Sequence, residues 1–261
     1  MSVEIKIPTI NGITLNTKNK YVKDDIALTI GIPRYNGVVE GGAMSELEKL
    51  FADEIVDYYN DKITVIRTGF SNNNSIKTVD LPNVTEVGNR VFTGATNLIS
   101  INIPKAETLG IATFGSTTSL ENALLWNVTT TQNQCFQSSG VKILIAPKLT
   151  SVGTQFCNGA NRLEIVVLDN VTNIQGGMAF YNCKELKAVI IKQNEIVPPL
   201  TTNAFQASSV SSGTGFVYVP DNMVEEYKGA TNWSTVASQI KTLSEIPQEI
   251  LDQLEVLGYG D

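Results

Sequence analysis

Phe92-Thr93-Gly94-Ala95-Thr96-Asn97-Leu98-Ile99-Ser100-Ile101-Asn102-Ile103-Pro104-Lys105-Ala106-Glu107-Thr108-Leu109 is one period of a pattern that runs through the middle of the chain. From the phenylalanine onward, apolar residues stand at Leu98, Ile101, Ile103, Ala106 and Leu109, with Pro104 after the third. The period before it repeats the order from Phe70 as Ile76, Val79, Leu81, Val84 and Val87, with Pro82. The period after it runs from Phe114 through Leu120, Ala123, Leu125 and Val128, with Trp126 in the proline position. The anchors Phe70, Phe92, Phe114, Phe136, Phe156, Phe180 and Phe205 are spaced by 22, 22, 22, 20, 24 and 25 residues. The apolar order begins one residue early after Phe136, at Val141, and one residue late after Phe156, at Leu163. A fixed period in the twenties marks a solenoid, in which each unit buries its apolar face against its neighbours.

Within each period the Leu-x-x-Ile-x-Leu-Pro piece reads as the strand. Its second and third apolar positions are two apart and point inward, and the proline ends it because it has no N–H to give the ladder. The expected fold is a β-rich repeat solenoid of parallel strands, about seven turns over residues 63–220 and roughly 30 Å long. Phe216-Val217-Tyr218-Val219-Pro220 reads as its last strand. A C-terminal helical cap and tail over 221–261 follows, with a short helix from Asp221 to Lys228 and another near Pro247 to Leu257, where Pro247 suits a first helical turn. Residues 1–40 lack the repeat and read as a small β docking segment, with strands at 3–7, 13–15 and 26–30 and turn dipeptides Asn11-Gly12 and Asn36-Gly37. Residues 41–62 read as a capping unit: Ser45 with Glu48 fits a capping box, and Leu47, Leu50, Phe51, Ile55 and Tyr58 keep helical spacing from 45 to 59.

The residues flanking the second inward position of each strand point away from the solenoid. Early ones are polar: Thr78 and Asp80, then Ser100 and Asn102. Later ones are Asn122 and Leu124, Ile143 and Ile145, Ile165 and Val167, Ala188 and Ile190. Stacked in register these make an apolar band, and bare bands of this size are rare on soluble monomers. Three coverings are open: the C-terminal helix folding back with Ile250, Leu251, Leu254 and Leu257, a second copy, or a receptor. Leu124, Ile143, Ile145, Ile165, Val167 and Ile190 are accordingly the candidate partner or oligomer interface. Cyclic assembly is the usual way to bury a repeated patch, and a trimer is the first expectation.

A formal charge of −7 and the scatter of Lys and Arg argue against nucleic acid and anionic membranes. No stretch approaches the roughly 18 apolar residues of a membrane helix. The start, MSVEIKIPTI, has neither a basic nor an apolar signal region, so export by the general pathway is not expected. A chain without histidine cannot build a His-dependent triad. Asp24-Asp25 and Glu225-Glu226 read as solvated pairs, and Gly41-Gly42 and Gly176-Gly177 lack a phosphate-binding frame. Cys135, Cys157 and Cys183 are odd in number and occupy inequivalent repeat positions, which suits buried thiols rather than disulfides or zinc. Catalysis, cofactors and metals are therefore not expected. Asn83, Asn127 and Asn170 each begin an Asn-Val-Thr sequon, but all three fall just past the strand, where asparagine suits the turn.

The unit Ala179-Phe180-Tyr181-Asn182-Cys183-Lys184-Glu185-Leu186-Lys187-Ala188-Val189 resembles the BspA-like leucine-rich repeat. The ending does too, from Tyr218-Val219-Pro220-Asp221 through Tyr227-Lys228 and Thr231-Asn232-Trp233-Ser234 to Ile240. The resemblance covers about 63–243 and implies a non-enzymatic surface adhesin or binding protein. Gly12-Ile13-Thr14-Leu15, Lys20-Tyr21-Val22-Lys23-Asp24-Asp25-Ile26 and Ile30-Gly31-Ile32-Pro33 are similar to segments of tail and baseplate proteins of phages of Gram-positive hosts. Together these imply a virion protein of the tail tip or baseplate, docked to other tail proteins through the N-terminal segment and binding a host glycan or protein through the solenoid. The alternative is a bacterial BspA-like surface adhesin or protein-interaction module.

Overall fold

Each period places a short strand on one face of the molecule, turns, and returns along a second face. The computed structural model describes residues 57–260 except Lys62 and Thr68, and the backbone of four two-residue strands nearer the N-terminus. On the front face, Asp57–Tyr59, Thr78–Asp80 and Ser100–Asn102 form a three-stranded parallel sheet. Asn122–Leu124, Ile143–Ile145, Ile165–Val167, Ala188–Ile190, Phe216–Val219 and Ile240–Thr242 form a six-stranded one. Inward residues stack in register, as in the column Leu144, Val166, Val189, Val217. The return face carries the two-residue strands Val65–Ile66, Glu86–Val87, Thr108–Leu109 and Thr130–Thr131, continued by single bridges through Ser151 and Asn173. The leucine-rich solenoid with parallel strands is thus present as the periodicity predicts.

The N-terminal hairpins Thr9–Ile10 with Ile13–Thr14, and Arg34–Tyr35 with Val38–Val39, bracket Asn11-Gly12 and Asn36-Gly37 in the sequence. Val38–Val39 also pairs in parallel with Val65–Ile66, extending the return face. The expected strands 3–7 and 26–30, and the expected helix over 45–56, lie outside the described residues. The end of that helix is corrected. Asp57–Tyr59 is a strand, because Tyr58 belongs to the core, its ring packed edge-on against Phe70 at 4.9 Å. The far end also differs. Beyond Phe216–Val219, Ile240–Thr242 adds another rung, its buried Ile240 paired with Val217.

The phenylalanine ladder forms the spine. Phe70, Phe92, Phe114 and Phe136 stack in sequence with centroids 5.2, 5.3 and 5.2 Å apart and planes within 18° of parallel. Residues of positive φ two places before and after the anchor frame it: Arg90 and Gly94 around Phe92, Ala112 and Ser116 around Phe114, Gln134 and Ser138 around Phe136. In the next turn the framing pair is Gln155 and Gly159, so the anchor is Cys157 rather than Phe156. The hydrogen bonds agree. Each anchor N–H donates to the carbonyl of the residue just before the next anchor: Phe114 to Cys135 (2.8 Å), Phe136 to Phe156 (2.7 Å), Cys157 to Ala179 (2.8 Å). Counted through Cys157 the steps become 22, 22, 22, 21, 23 and 25, and the apolar offsets from Cys157 through Ile174 match those of the first turns. Phe156 instead takes the small-residue position of Val91, Thr113, Cys135 and Ala179. Its ring stands across its neighbours, at 85° to Phe136 and 88° to Phe180.

The array closes on Trp233, fully buried, whose indole N–H donates to Pro198 O at 2.7 Å and whose ring meets Tyr227 edge-on at 5.0 Å. One inward position is mismatched. Thr131 stands in the column of Val87, Leu109, Val152 and Ile174, buried, with a hydroxyl that has no hydrogen-bond partner. Burying an unpaired hydroxyl costs stability that an isosteric methyl does not. Thr131→Val is expected to raise unfolding free energy by about 1 kcal/mol, read as a higher urea midpoint at unchanged slope; a lowered midpoint would mean that the hydroxyl is paired.

Candidate functional site

The front face divides into two halves of opposite character, as the outward residues foretell. Ile143, Ile145, Ile165, Val167, Ala188, Ile190 and Tyr218 form one buried apolar cluster with Ile250 and Leu254, which the C-terminal helix Gln248–Val256 inserts over them. Leu124 and Trp126 are half-buried at its margin. Among the three coverings open to the sequence, the chain's own helix occupies the band. The expectation of an oligomer through Leu124, Ile143, Ile145, Ile165, Val167 and Ile190 therefore loses the bare apolar area on which it rested.

The helix is tied down at its far end. Tyr259 donates its hydroxyl to Asp169 Oδ1 at 2.6 Å, and Lys192 Nζ lies 4.3 Å from the Tyr259 ring centre. Burial pushes the Asp169 carboxyl above its ordinary range, partly opposed by the Tyr259 hydrogen bond and the Lys192 charge. The Tyr259 phenol is raised by the same burial and by its carboxylate partner. Along one flank the helix leaves a cleft of about 240 Å³ beside Lys192, Leu251, Glu255 and Tyr259.

The other half of the face is open and polar. Outward residues there are Asp57 and Tyr59, Thr78 and Asp80, Ser100 and Asn102. Cross-rung hydrogen bonds order them: Thr78 Oγ1 donates to Asp57 Oδ1 at 2.6 Å, and Asn102 Nδ2 to Asp80 Oδ1 at 2.8 Å. Tyr59 and Ile99 are exposed at 38% and 42%. Sequence reasoning missed Asp57 and Tyr59, because Tyr58 satisfies a helical spacing as well as a strand position.

A seam separates the halves. Elsewhere the strand exit carries a backbone bond to the next turn, such as Leu81 N–H to Asn102 O (2.8 Å) and Leu125 N–H to Ile145 O (2.7 Å). The corresponding bond from Ile103 to Leu124 is not made, and Ser100–Asn102 and Asn122–Leu124 fall in different sheets. Glu121 N–H still donates to Ile99 O there, at 3.2 Å. Behind the seam, Phe92 and Phe114 stay stacked and Thr108–Leu109 stays paired with Thr130–Thr131. The opening is confined to the front, and Ile101 is half-exposed in it although it points inward.

The remaining candidate residues take structural roles. Asn83, Asn127 and Asn170 donate their amides to Asp61 O, Pro104 O and Pro147 O of the preceding turn, at 2.6, 2.7 and 2.8 Å. Cys135, Cys157 and Cys183 are buried free thiols. Desolvation pushes Cys135 and Cys183 up to about 12 and Cys157 well above the ordinary thiol range, so all three stay protonated. Glu225 pairs on the surface with Lys228 at 2.8 Å. Among the described residues no group of three or more Cys, Asp or Glu is placed to hold a metal ion, and no helix is long and apolar enough to cross a membrane.

No curated protein sequence matches this chain. Among solved structures it is similar to a leucine-rich repeat protein from Bacteroides ovatus, at 20% identity and TM-score 0.47, over 61% of this chain and 47% of that one. It is also similar to the pneumococcal vaccine antigen PcpA, at 18% identity and TM-score 0.47, over 72% and 40%. A leucine rich cell surface protein from Faecalibacterium prausnitzii matches at 17% identity and TM-score 0.39, over 62% and 60%. The chain spans less than half the length of the first two. The family model for the BspA type leucine rich repeat region matches residues 59–159 and 150–214, more than half of the sequence. With the phenylalanine spine and the paired faces that the repeat builds, this match shows that the chain belongs to the BspA-type leucine-rich repeat family.

Proposed function

We propose that this protein is a non-enzymatic interaction module of the bacterial surface, an adhesin in the broad sense, which engages its partner through the open half of the front face. The observation that carries this is the selective cover. The chain's own helix buries the apolar rungs, while the polar rungs beside it stay uncovered by it, with side chains tied by cross-rung hydrogen bonds. Pre-ordered side chains lose less conformational freedom on binding than mobile ones. The family match supports the same reading, since repeat solenoids offer extended surfaces more often than catalytic clefts. A second reading, a tail-tip or baseplate protein of a virion, rests on the resemblance of residues 12–33 to phage tail segments.

The test is attachment of the fluorescent full-length chain to bacterial and host-cell surfaces. Asn102→Arg, on the open face, is expected to lower attachment about tenfold or more, while Thr172→Arg, on the return face, leaves it unchanged. Equal effects of the two would remove the front face from the binding surface. An antibody against the chain separates the two settings: it decorates the cell envelope in the first and phage tails in the second.

A further inference from the structure

We infer that the seam in the front sheet is a saccharide-binding site, selective for neutral or amino-sugar glycans over anionic ones. The inference rests on the interaction-module reading above and names its ligand class. Three features meet at this place. Ser100–Asn102 and Asn122–Leu124 do not form the ladder that joins the neighbouring rungs, and Ile103 N–H makes no bond to Leu124 O, beside half-exposed Ile101. Exposed backbone of this kind requires a partner, and hydroxyl groups or water supply one.

The lining has two textures. Leu124 and half-buried Trp126 give an apolar shelf on the covered side. Asp80, Asn102 and Asn122 give carboxylate and amide groups on or beside the open side, where Asn102 is already held to Asp80. A sugar ring matches this division, since it offers an apolar C–H face for an indole and a rim of hydroxyls for amides and carboxylates. Tyr59 ends the same outward column two rungs from Asn102, roughly 10 Å at strand spacing, which is room for a short oligosaccharide laid across the strands.

Charge sets the class. The outward positions from Asp57 to Leu124 include two carboxylates and no Lys or Arg, so an anionic glycan meets repulsion, whereas neutral or amino sugars do not. An extended cationic peptide satisfies the charge but makes no use of the Leu124–Trp126 shelf, which is why the saccharide is favoured.

Calorimetry on the full chain, with chitotriose, cellotriose, mannotriose, polygalacturonate and a tetralysine peptide as probes, tests this. At least one neutral or N-acetylated trisaccharide is expected to bind, with its monosaccharide about tenfold weaker. Trp126→Ala and Asp80→Ala should each weaken it about tenfold or more, with circular dichroism and the unfolding midpoint checked for each. Asn102→Arg serves as a surface variant that cannot act through packing loss. Preferential binding of polygalacturonate or tetralysine, or binding of none of the trisaccharides, overturns the saccharide assignment. If that happens while Asn102→Arg still abolishes surface attachment, the interaction-module reading stands and the ligand class falls. If Asn102→Arg and Thr172→Arg affect attachment equally, the module reading falls as well.

Discussion

Ending the chain after Ile246 is expected to turn a well-behaved protein into one that self-associates and binds apolar dyes. The truncation removes Ile250 and Leu254, both buried, and uncovers Ile145, Ile165, Val167 and Ile190, which are no more than 1% exposed in the intact chain. Losing the two inserted side chains forfeits about 3–6 kcal/mol of apolar burial, and the sheet side loses a comparable area. Light scattering and the urea midpoint read the two consequences. A truncated chain that stays monomeric with an unmoved midpoint would mean that the helix does not hold the face in solution. Leu254→Ala is the finer probe, with an expected cost of about 2–5 kcal/mol.

The helix depends on this docking because it is weak by itself. It has nine residues, Glu255 in its last turn and no basic residue there to complement the dipole. Its C-terminal tie adds a pH dependence whose sign is set by Asp169. The carboxyl is raised in the folded state, so its protonated form favours docking. That contribution is fully present below the ordinary carboxylate range and is lost as pH rises through the raised value. Asp169→Asn keeps an acceptor for Tyr259 and should remove this slope.

The solenoid was legible because its signal is repeated: the apolar offsets recur turn after turn, and period-two strands give each offset a side. The split between polar and apolar outward columns was legible for the same reason. What covers the apolar columns was not, since Ile250 and Leu254 in a fold-back helix and the matching surface of a second copy satisfy the same pattern. Tyr58 was misread because four residues of helical spacing precede it, while the strand it joins is fixed by Phe70 and Thr78 farther along the chain. Ile240 is read as part of the closing segment but not as a strand, because neither a phenylalanine nor a proline marks its rung. The seam leaves no trace in the pattern: Ser100-Ile101-Asn102 reads like any other strand, and the lost bond between Ile103 and Leu124 exists only in three dimensions.

Combining Phe156→Ala with Cys157→Phe is expected to be far less damaging than the sum of the two changes made alone. In the sequence the repeat points to Phe156, because an aromatic residue is its strongest marker. Yet from Cys157 the residues Leu163, Val166, Leu168, Val171 and Ile174 fall at the same offsets as Ile76, Val79, Leu81, Val84 and Val87 from Phe70. A small thiol in the large position and a large ring in the small position therefore compensate one another. Phe156→Ala alone empties the volume between Phe136 and Phe180, at a cost of about 3–5 kcal/mol. Cys157→Phe alone drives a second ring into the space that the crosswise Phe156 already fills, at about 1–3 kcal/mol. The double variant restores a regular turn, small residue then phenylalanine, as in Ala179-Phe180, so its cost should fall below the sum by at least about 1 kcal/mol. Urea unfolding of the four proteins at constant slope measures that coupling. Additive losses would mean that the two positions do not share one volume and that Phe156 is the anchor after all. A positive coupling places the anchor at Cys157, where the framing residues Gln155 and Gly159 and the bond to Ala179 already put it.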